Sequence, residues 1–102
     1  NCKIVKKMLS TCLGAEKLDM EWGSFREYLK SLPDLGMNIV PLIGHGILRA
    51  NVMGRSDKEP TDKEMERMKV LLKECLDMGA YGMSTGLEYF PGYFSTKNEI
   101  IE

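Results

Sequence analysis

The sequence has 102 residues, of which 43% are hydrophobic and 28% charged, so it is long enough for one small domain and no more. Its 14 basic and 15 acidic residues are interspersed and sum to a formal net charge of −1, which argues against nucleic acid as a partner. No segment resembles a signal peptide or approaches the roughly 20 apolar residues that span a bilayer. We therefore expect a cytoplasmic protein that does not contact a membrane.

The first half of the chain predicts two helices and a strand. Apolar residues from Ile4 to Leu13 recur at helical spacing, and Gly14 is placed to end that helix. A second amphipathic helix is predicted to begin near Ser24 and to end by Pro33. Residues 38–44 form a short apolar run typical of a strand buried on both faces, although Pro41 lacks the N–H that a central strand needs.

The second half predicts a helix, a strand and a further helix start. Thr61 and Glu64 have the spacing of a capping box, and the helix they open is predicted to stop at Gly79. Its buried stripe is predicted to consist of Met65, Met68, Leu72, Cys75 and Leu76. Residues 81–85 then predict a strand, residues 86–95 an aromatic-rich loop, and the pair Thr96 and Glu99 a second capping box.

This order of elements indicates an α/β fold. Strands that alternate with long helices pair in parallel through crossover connections, and two such strands are too few for a sheet covered on both faces. We therefore expect the chain to be part of either a (β/α)8 barrel or a doubly wound sheet. The helix predicted to begin at Thr96, close to residue 102, supports the same expectation of a partial domain.

Two short stretches follow the predicted strands, where parallel α/β folds bind their ligands. The first contains His45, the one histidine of the sequence, and Arg49. The second contains Ser84 and Thr85, followed by Tyr89, whose polar groups can orient a substrate. A purely structural alternative remains open: His45 would bond neighbouring loops, Arg49 would cap a short helix, and the two hydroxyls would satisfy backbone groups.

Two other kinds of site are disfavoured. Residues 44–46 lack the lysine and the further glycines of a phosphate-binding loop. Ser84 lacks the glycine elbow of a nucleophilic serine, and no orienting acid is evident for a pair with His45.

The cysteines are Cys2, Cys12 and Cys75. Their odd number and their spacings are typical of neither a zinc knuckle nor a disulfide framework, so we interpret at least two as reduced packing residues.

The sequence resembles the D-aminoacylase (N-acyl-D-amino-acid deacylase) family of the amidohydrolase superfamily. The motifs that carry the resemblance are Gly-His-Gly-Ile-Leu-Arg at residues 44–49 and Gly-Met-Ser-Thr-Gly-Leu-Glu-Tyr-Phe-Pro-Gly at residues 82–92. Similarity runs from about residue 22 to residue 102, with residues 1–21 as a preceding helical segment. The resemblance implies a fragment of a (β/α)8 TIM-type barrel, at about strands three and four, within one partial amidohydrolase barrel domain.

The resemblance also implies a reaction, the zinc-dependent hydrolysis of N-acyl-D-amino acids to a carboxylate and a free D-amino acid. The family's metal ligands lie after other strands, so we expect no metal ligand and no catalytic residue here, although Asn1-Cys2 partly matches the motif of the family's cysteine ligand. A single histidine cannot hold a catalytic zinc, which usually needs three protein ligands. The implied substrate-binding residues are His45, Arg49, Ser84, Thr85 and Tyr89.

Three further expectations follow. Zinc belongs to the parent protein and not to this fragment, which is expected to be inactive and to self-associate through unpaired strand edges and apolar faces. Two alternative functions stay open. The parent protein would act on another amide, such as a cyclic amide or a dipeptide, or the chain would be a non-enzymatic α/β module that binds a partner through the aromatic loop from Tyr89 to Phe94.

Overall fold

The computed structural model describes residues 21–102. Four α-helices and two strands are present in this range, in the order α1 (Phe25–Ser31), β1 (Ile43–Gly44), α2 (His45–Met53), α3 (Asp62–Asp77), β2 (Met83–Ser84) and α4 (Lys97–Ile101). A 3-10 turn, Gly92–Phe94, lies between β2 and α4. The helix predicted from Ile4 to Leu13, Cys2 and Cys12 fall outside the described residues.

The two strands pair in parallel, as predicted, with Ile43 opposite Met83 and Gly44 opposite Ser84. They are much shorter than the predicted ranges 38–44 and 81–85, because Pro41 has no N–H and contributes only its carbonyl oxygen to the ladder. That oxygen accepts from the Tyr81 N–H at 2.8 Å. The parallel pair supports an α/β fold, with α2 and α3 forming the connection between the strands.

Helices α2 and α3 cover one face of the strand pair. The core joins one residue from each layer, Ile43 of β1, Leu48 of α2 and Met68 of α3. The prediction that residues 38–44 are buried on both faces is wrong, since Val40 and Leu42 are exposed by 61% and 53%. The cause is that only one helical layer packs on the pair within the described residues.

The predicted helix ends agree with the structure. Ser24 caps α1, accepting a hydrogen bond from the Glu27 N–H at 3.2 Å. Thr61 and Glu64 form the full capping box of α3, and Gly79, with a φ of 113°, follows the end of that helix. The prediction that Leu76 belongs to the buried stripe is wrong, because Leu76 is 41% exposed. The other four residues of the predicted stripe pack in or against the core.

Helix α2 corresponds to none of the predicted helices, although the structural alternative includes a short helix near Arg49. Strand β1 passes directly into α2, which starts at His45 and ends at Met53. The helix has a glycine, Gly54, at its C-terminal cap, with a φ of 65° that favours glycine. His45 and Arg49 therefore lie one helical turn apart on the same face of α2.

Candidate functional site

His45 and Thr85 meet because the two strands are in register. Each is the first residue after its strand, and the pairing of Gly44 with Ser84 places the next residues side by side at the carboxyl end of the pair. The Thr85 hydroxyl oxygen lies 3.3 Å from His45 Nδ1. The histidine itself is buried, with 4% of its surface exposed. The carboxyl end of the parallel pair therefore holds a polar contact between the two motifs.

Arg49 lies one turn further along α2 and is completely buried. Its Nη2 donates to the carbonyl oxygen of Lys58 at 2.5 Å, which fixes the segment between α2 and α3. Its Nη1 donates to a carboxylate oxygen of Glu99. The third guanidinium nitrogen, Nε, is buried and has no hydrogen-bond partner among the described residues. Arg49 thus connects α2 to Glu99 and to the segment before α3, and none of its surface is exposed to solvent.

Glu99, in the first turn of α4, joins the two residues of α2. Its Oε1 lies 2.9 Å from His45 Nε2, and its Oε2 accepts from Arg49. The hydroxyl of Ser95 donates to the same Oε1 at 3.3 Å. The Glu99 side chain is only 1% exposed. We refer to His45, Arg49 and Glu99 as the buried triad.

The charges of the buried triad balance each other. Removing an ion from water is costly unless a partner of opposite charge and further hydrogen bonds replace the lost hydration. A guanidinium keeps its charge at all ordinary pH values, so burial of Arg49 requires the carboxylate of Glu99 beside it. Helix α4 is therefore held against α2 by an ion pair whose members lie 50 residues apart.

Sequence reasoning missed Glu99 as a member of the site. Its spacing from Thr96 predicts a full capping box, and the structure contains only the first half of that motif. The Thr96 hydroxyl accepts from the Glu99 N–H at 3.4 Å, but the Glu99 carboxylate points to the triad. The available signal was the pair of basic side chains at positions 45 and 49, which need an acidic partner if they are buried.

The loop after β2 folds against the start of α2. Pro91 is fully buried, and a Cβ on Gly46 would lie 3.5 Å from its ring. Gly92 is pressed against the Gly86 backbone, since a Cβ at residue 92 would lie 2.3 Å from the Gly86 carbonyl oxygen. Arg55 lies over the Phe90 ring, 5.1 Å from its centroid. These contacts position the aromatic loop beside the buried triad.

The structure brings together three of the five predicted substrate-binding residues. His45, Arg49 and Thr85 are linked through the hydrogen bonds described above. Ser84 and Tyr89 are exposed, Tyr89 by 71%, and take no part in the hydrogen bonds of the buried triad. Arg49 has no exposed atom, so a direct contact between this residue and a substrate would require the cluster to open.

The residues from 21 to 102 do not offer a metal site. Among them, no group of three or more histidine, cysteine, aspartate or glutamate side chains is arranged to hold a metal ion. Both nitrogens of His45 and both carboxylate oxygens of Glu99 already have protein partners. Cys75 packs against the core, where burial raises the pKa of its thiol and disfavours the thiolate that binds metals.

An apolar cleft of the described chain lies away from the buried triad. Apolar residues of α1 and of the segment leading into β1 line it, among them Leu29, Met37 and Leu42, together with Tyr81 before β2. It is located at the amino ends of the strands, whereas the triad follows their carboxyl ends.

No helix in residues 21–102 has the length and apolar character required to cross a bilayer.

Comparison with known proteins gives a consistent group of relatives. An N-acyl-D-aspartate deacylase of Alcaligenes xylosoxydans xylosoxydans is 35% identical over 111 aligned positions, covering the whole chain and 22% of the relative. A D-aminoacylase of the same organism is 36% identical over the whole chain and 23% of its own length. An N-acyl-D-glutamate deacylase from that organism is 38% identical over 64 positions, covering 63% of the chain and 13% of the relative.

The chain thus spans less than a quarter of the length of these relatives. No protein-family model matches the sequence. No solved structure matches it either.

Proposed function

The chain is homologous over its whole length to the N-acyl-D-amino-acid deacylases, and from this we propose that the protein containing it hydrolyses the amide bond of N-acyl-D-amino acids. The products would be a carboxylate and a free D-amino acid. The observation that supports the proposal is the 35–36% identity to two relatives, both named for this reaction, across every part of the chain.

We also propose that residues 22–102 are barrel strands three and four with their helices. The parallel pairing of β1 and β2 through helices is the arrangement that a (β/α)8 barrel repeats. Active sites of such barrels lie at the carboxyl ends of the strands. The contact between His45 and Thr85 lies at that end, which supports a place for these residues in the wall of a substrate pocket.

Within the pocket, the described residues bind and orient; they do not break bonds. Zinc, which the family resemblance leads us to expect, would supply an activated water when bound to the parent protein. No group of three or more potential ligands is arranged to hold a metal ion among the described residues, so we propose that the zinc ligands lie in other parts of that protein. The role of Ser84 and Tyr89 is proposed to be contact with the substrate, because both are exposed and Ser84 ends β2, with Tyr89 in the loop that follows.

The decisive experiment is an assay of the full-length protein on paired N-acetyl-D- and N-acetyl-L-amino acids, with free amino acid as the readout. We expect D-selective release that a chelator abolishes and added zinc restores. If the protein releases amino acid from neither series but cleaves a cyclic amide or a dipeptide, the N-acyl-D-amino acid substrate is rejected and amide hydrolysis is retained. The isolated 102-residue chain, assayed in parallel, is expected to release nothing.

A further inference from the structure

The contacts of Glu99 determine which nitrogen of the His45 ring carries a proton. Glu99 is the carboxylate that balances the permanent charge of Arg49, and its Oε1 also accepts from the Ser95 hydroxyl. An ionised carboxylate has only acceptors. His45 Nε2, 2.9 Å from Oε1, must therefore be the nitrogen that carries a proton.

The opposite nitrogen determines what Thr85 does. A neutral imidazole with its proton on Nε2 has a lone pair on Nδ1 and can only accept there. The neighbour of Nδ1 is the Thr85 hydroxyl at 3.3 Å, so this hydroxyl donates its single proton to the histidine. Thr85 is exposed, and its remaining capacity toward a ligand is that of an acceptor.

We propose that Glu99, acting through His45, fixes the Thr85 hydroxyl as a hydrogen-bond acceptor for the amide N–H of the acylated amino acid. The inference rests on the proposed function for the identity of the ligand, because an N-acyl-amino acid has one amide N–H beside its reacting carbonyl. Thr85 is then a specificity-determining residue, and Glu99 and His45 are positioning residues that do not contact the substrate.

The proposal predicts a selective loss in the full-length protein. Each variant is assayed on an N-acyl-D-amino acid and on the matching O-acyl-D-hydroxy acid, an ester that lacks the N–H. Comparing the ratio of the two kcat/KM values across variants cancels the difference in intrinsic reactivity. Thr85→Val should lower this amide-to-ester ratio roughly tenfold, the usual effect of one lost hydrogen bond, and Thr85→Ser should restore it.

Glu99→Gln should lower the same ratio, because a glutamine can donate to Nε2 and so permit the other tautomer of His45. Glu102→Gln, which removes an exposed carboxylate at the end of the same helix, is the matched control and should leave the ratio unchanged. An unchanged ratio in Thr85→Val, whose exposed position permits folding, would overturn the proposal even if Glu99→Gln does not fold.

A second measurement separates this inference from the proposed function. Nitrogen-15 NMR of histidine-labelled full-length protein, with the His45 signal assigned by its loss in His45→Gln, reports the tautomer directly. We expect a proton on Nε2 in the neutral form. A proton on Nδ1 would refute the inference whatever the activity. An Nε2 proton in a protein without deacylase activity would refute only the proposed identity of the ligand.

Discussion

Glu64 and Glu99 both stand three residues after a threonine that caps a helix, yet their carboxylates make different contacts. Glu64 Oε2 returns to its cap, 2.8 Å from the Thr61 nitrogen and 2.7 Å from the Thr61 hydroxyl. The Glu99 carboxylate points away from Thr96 and bonds with His45 and Arg49 instead. The same local spacing thus stabilises one helix from within and attaches the other helix to a distant part of the chain.

The buried triad should show strong energetic coupling. Glu99→Leu leaves the guanidinium of Arg49 buried without its counter-charge, and loss of one member of a buried pair costs about 3–5 kcal/mol. Arg49→Met leaves a buried carboxylate and should cost a similar amount. The double variant removes both charges and should be less destabilised than the sum of the two single variants.

Urea unfolding of the full-length protein and its three variants tests this coupling as a double-mutant cycle. Glu102→Gln serves as the control, since its ion pair with Lys69 is exposed and is expected to contribute little. Strictly additive costs in the cycle would contradict an ion pair between Arg49 and Glu99.

The close approach of Gly92 to Gly86 predicts a specific intolerance to a methyl group. In Gly92→Ala the Cβ would lie 2.3 Å from the Gly86 carbonyl oxygen, so the backbone of the loop has to move. We expect a loss of about 1–3 kcal/mol, the usual cost of overpacking. Gly86→Ala is the matched control in the same loop, because a Cβ there meets nothing within 4 Å. Equal unfolding midpoints for the two variants would show that the loop backbones do not approach in this way.

The capping box of α3 predicts a pH dependence with a defined sign. Hydrogen bonds from the Thr61 backbone N–H and hydroxyl lower the pKa of the Glu64 carboxyl below its ordinary value. A carboxyl whose pKa is lower in the folded state stabilises that state above its unfolded pKa, and the contribution disappears as the pH falls through the folded pKa. The start of α3 should therefore be protected most at neutral pH and lose this contribution below about pH 4.5.

Amide hydrogen exchange in residues 62–68 measures this effect. The difference in protection between the natural protein and Glu64→Gln should stay nearly constant from pH 7 to about 4.5 and should shrink as the pH is lowered further through the folded pKa, after correction for intrinsic exchange rates. Glu59→Gln, an exposed acid before the cap, should show no such trend. A difference that grows on acidification would give the opposite sign and reject the capping-box explanation.

Exposed apolar side chains at the amino ends of the strands predict association between copies of the isolated 102-residue chain. Met37, Val40 and Tyr81 are exposed by 79%, 61% and 76%, and they adjoin the apolar cleft. Static light scattering should show a mass that increases with concentration, and Met37→Gln with Val40→Thr should reduce it. Ile101→Thr, at an exposed position on α4, is the control. A constant monomer mass for the natural sequence would contradict the prediction.

Local signals in the sequence predicted the helix ends and the parallel strand pair well. Capping residues such as Ser24 and Thr61 act within one turn, so their effect can be deduced from spacing alone. Helix α2 was missed because the apolar run before it and the glycines at positions 44 and 46 are typical of a strand and a loop, whereas packing of Leu48 on the core favours a helix. Tertiary contacts of this kind override local preference.

The candidate site was only partly predictable for the same reason. His45 and Thr85 follow their strands directly, so their proximity depends on a register that the strand positions already indicate. Glu99 lies 54 residues from His45, and no spacing rule connects them. Its role depends on charge balance in a buried cluster, which becomes apparent only when both helices are in place.

The ion pair between Arg49 and Glu99 also bears on how the chain is made. Synthesis proceeds from the amino terminus, so Arg49 is added to the chain 50 residues before Glu99, its counter-charge. Until Glu99 arrives, packing α2 into the core would bury an uncompensated cation, which is strongly unfavourable. We therefore expect α2 to dock stably only after α4 has been synthesised, and a nascent chain halted before residue 99 to keep this part of the protein open.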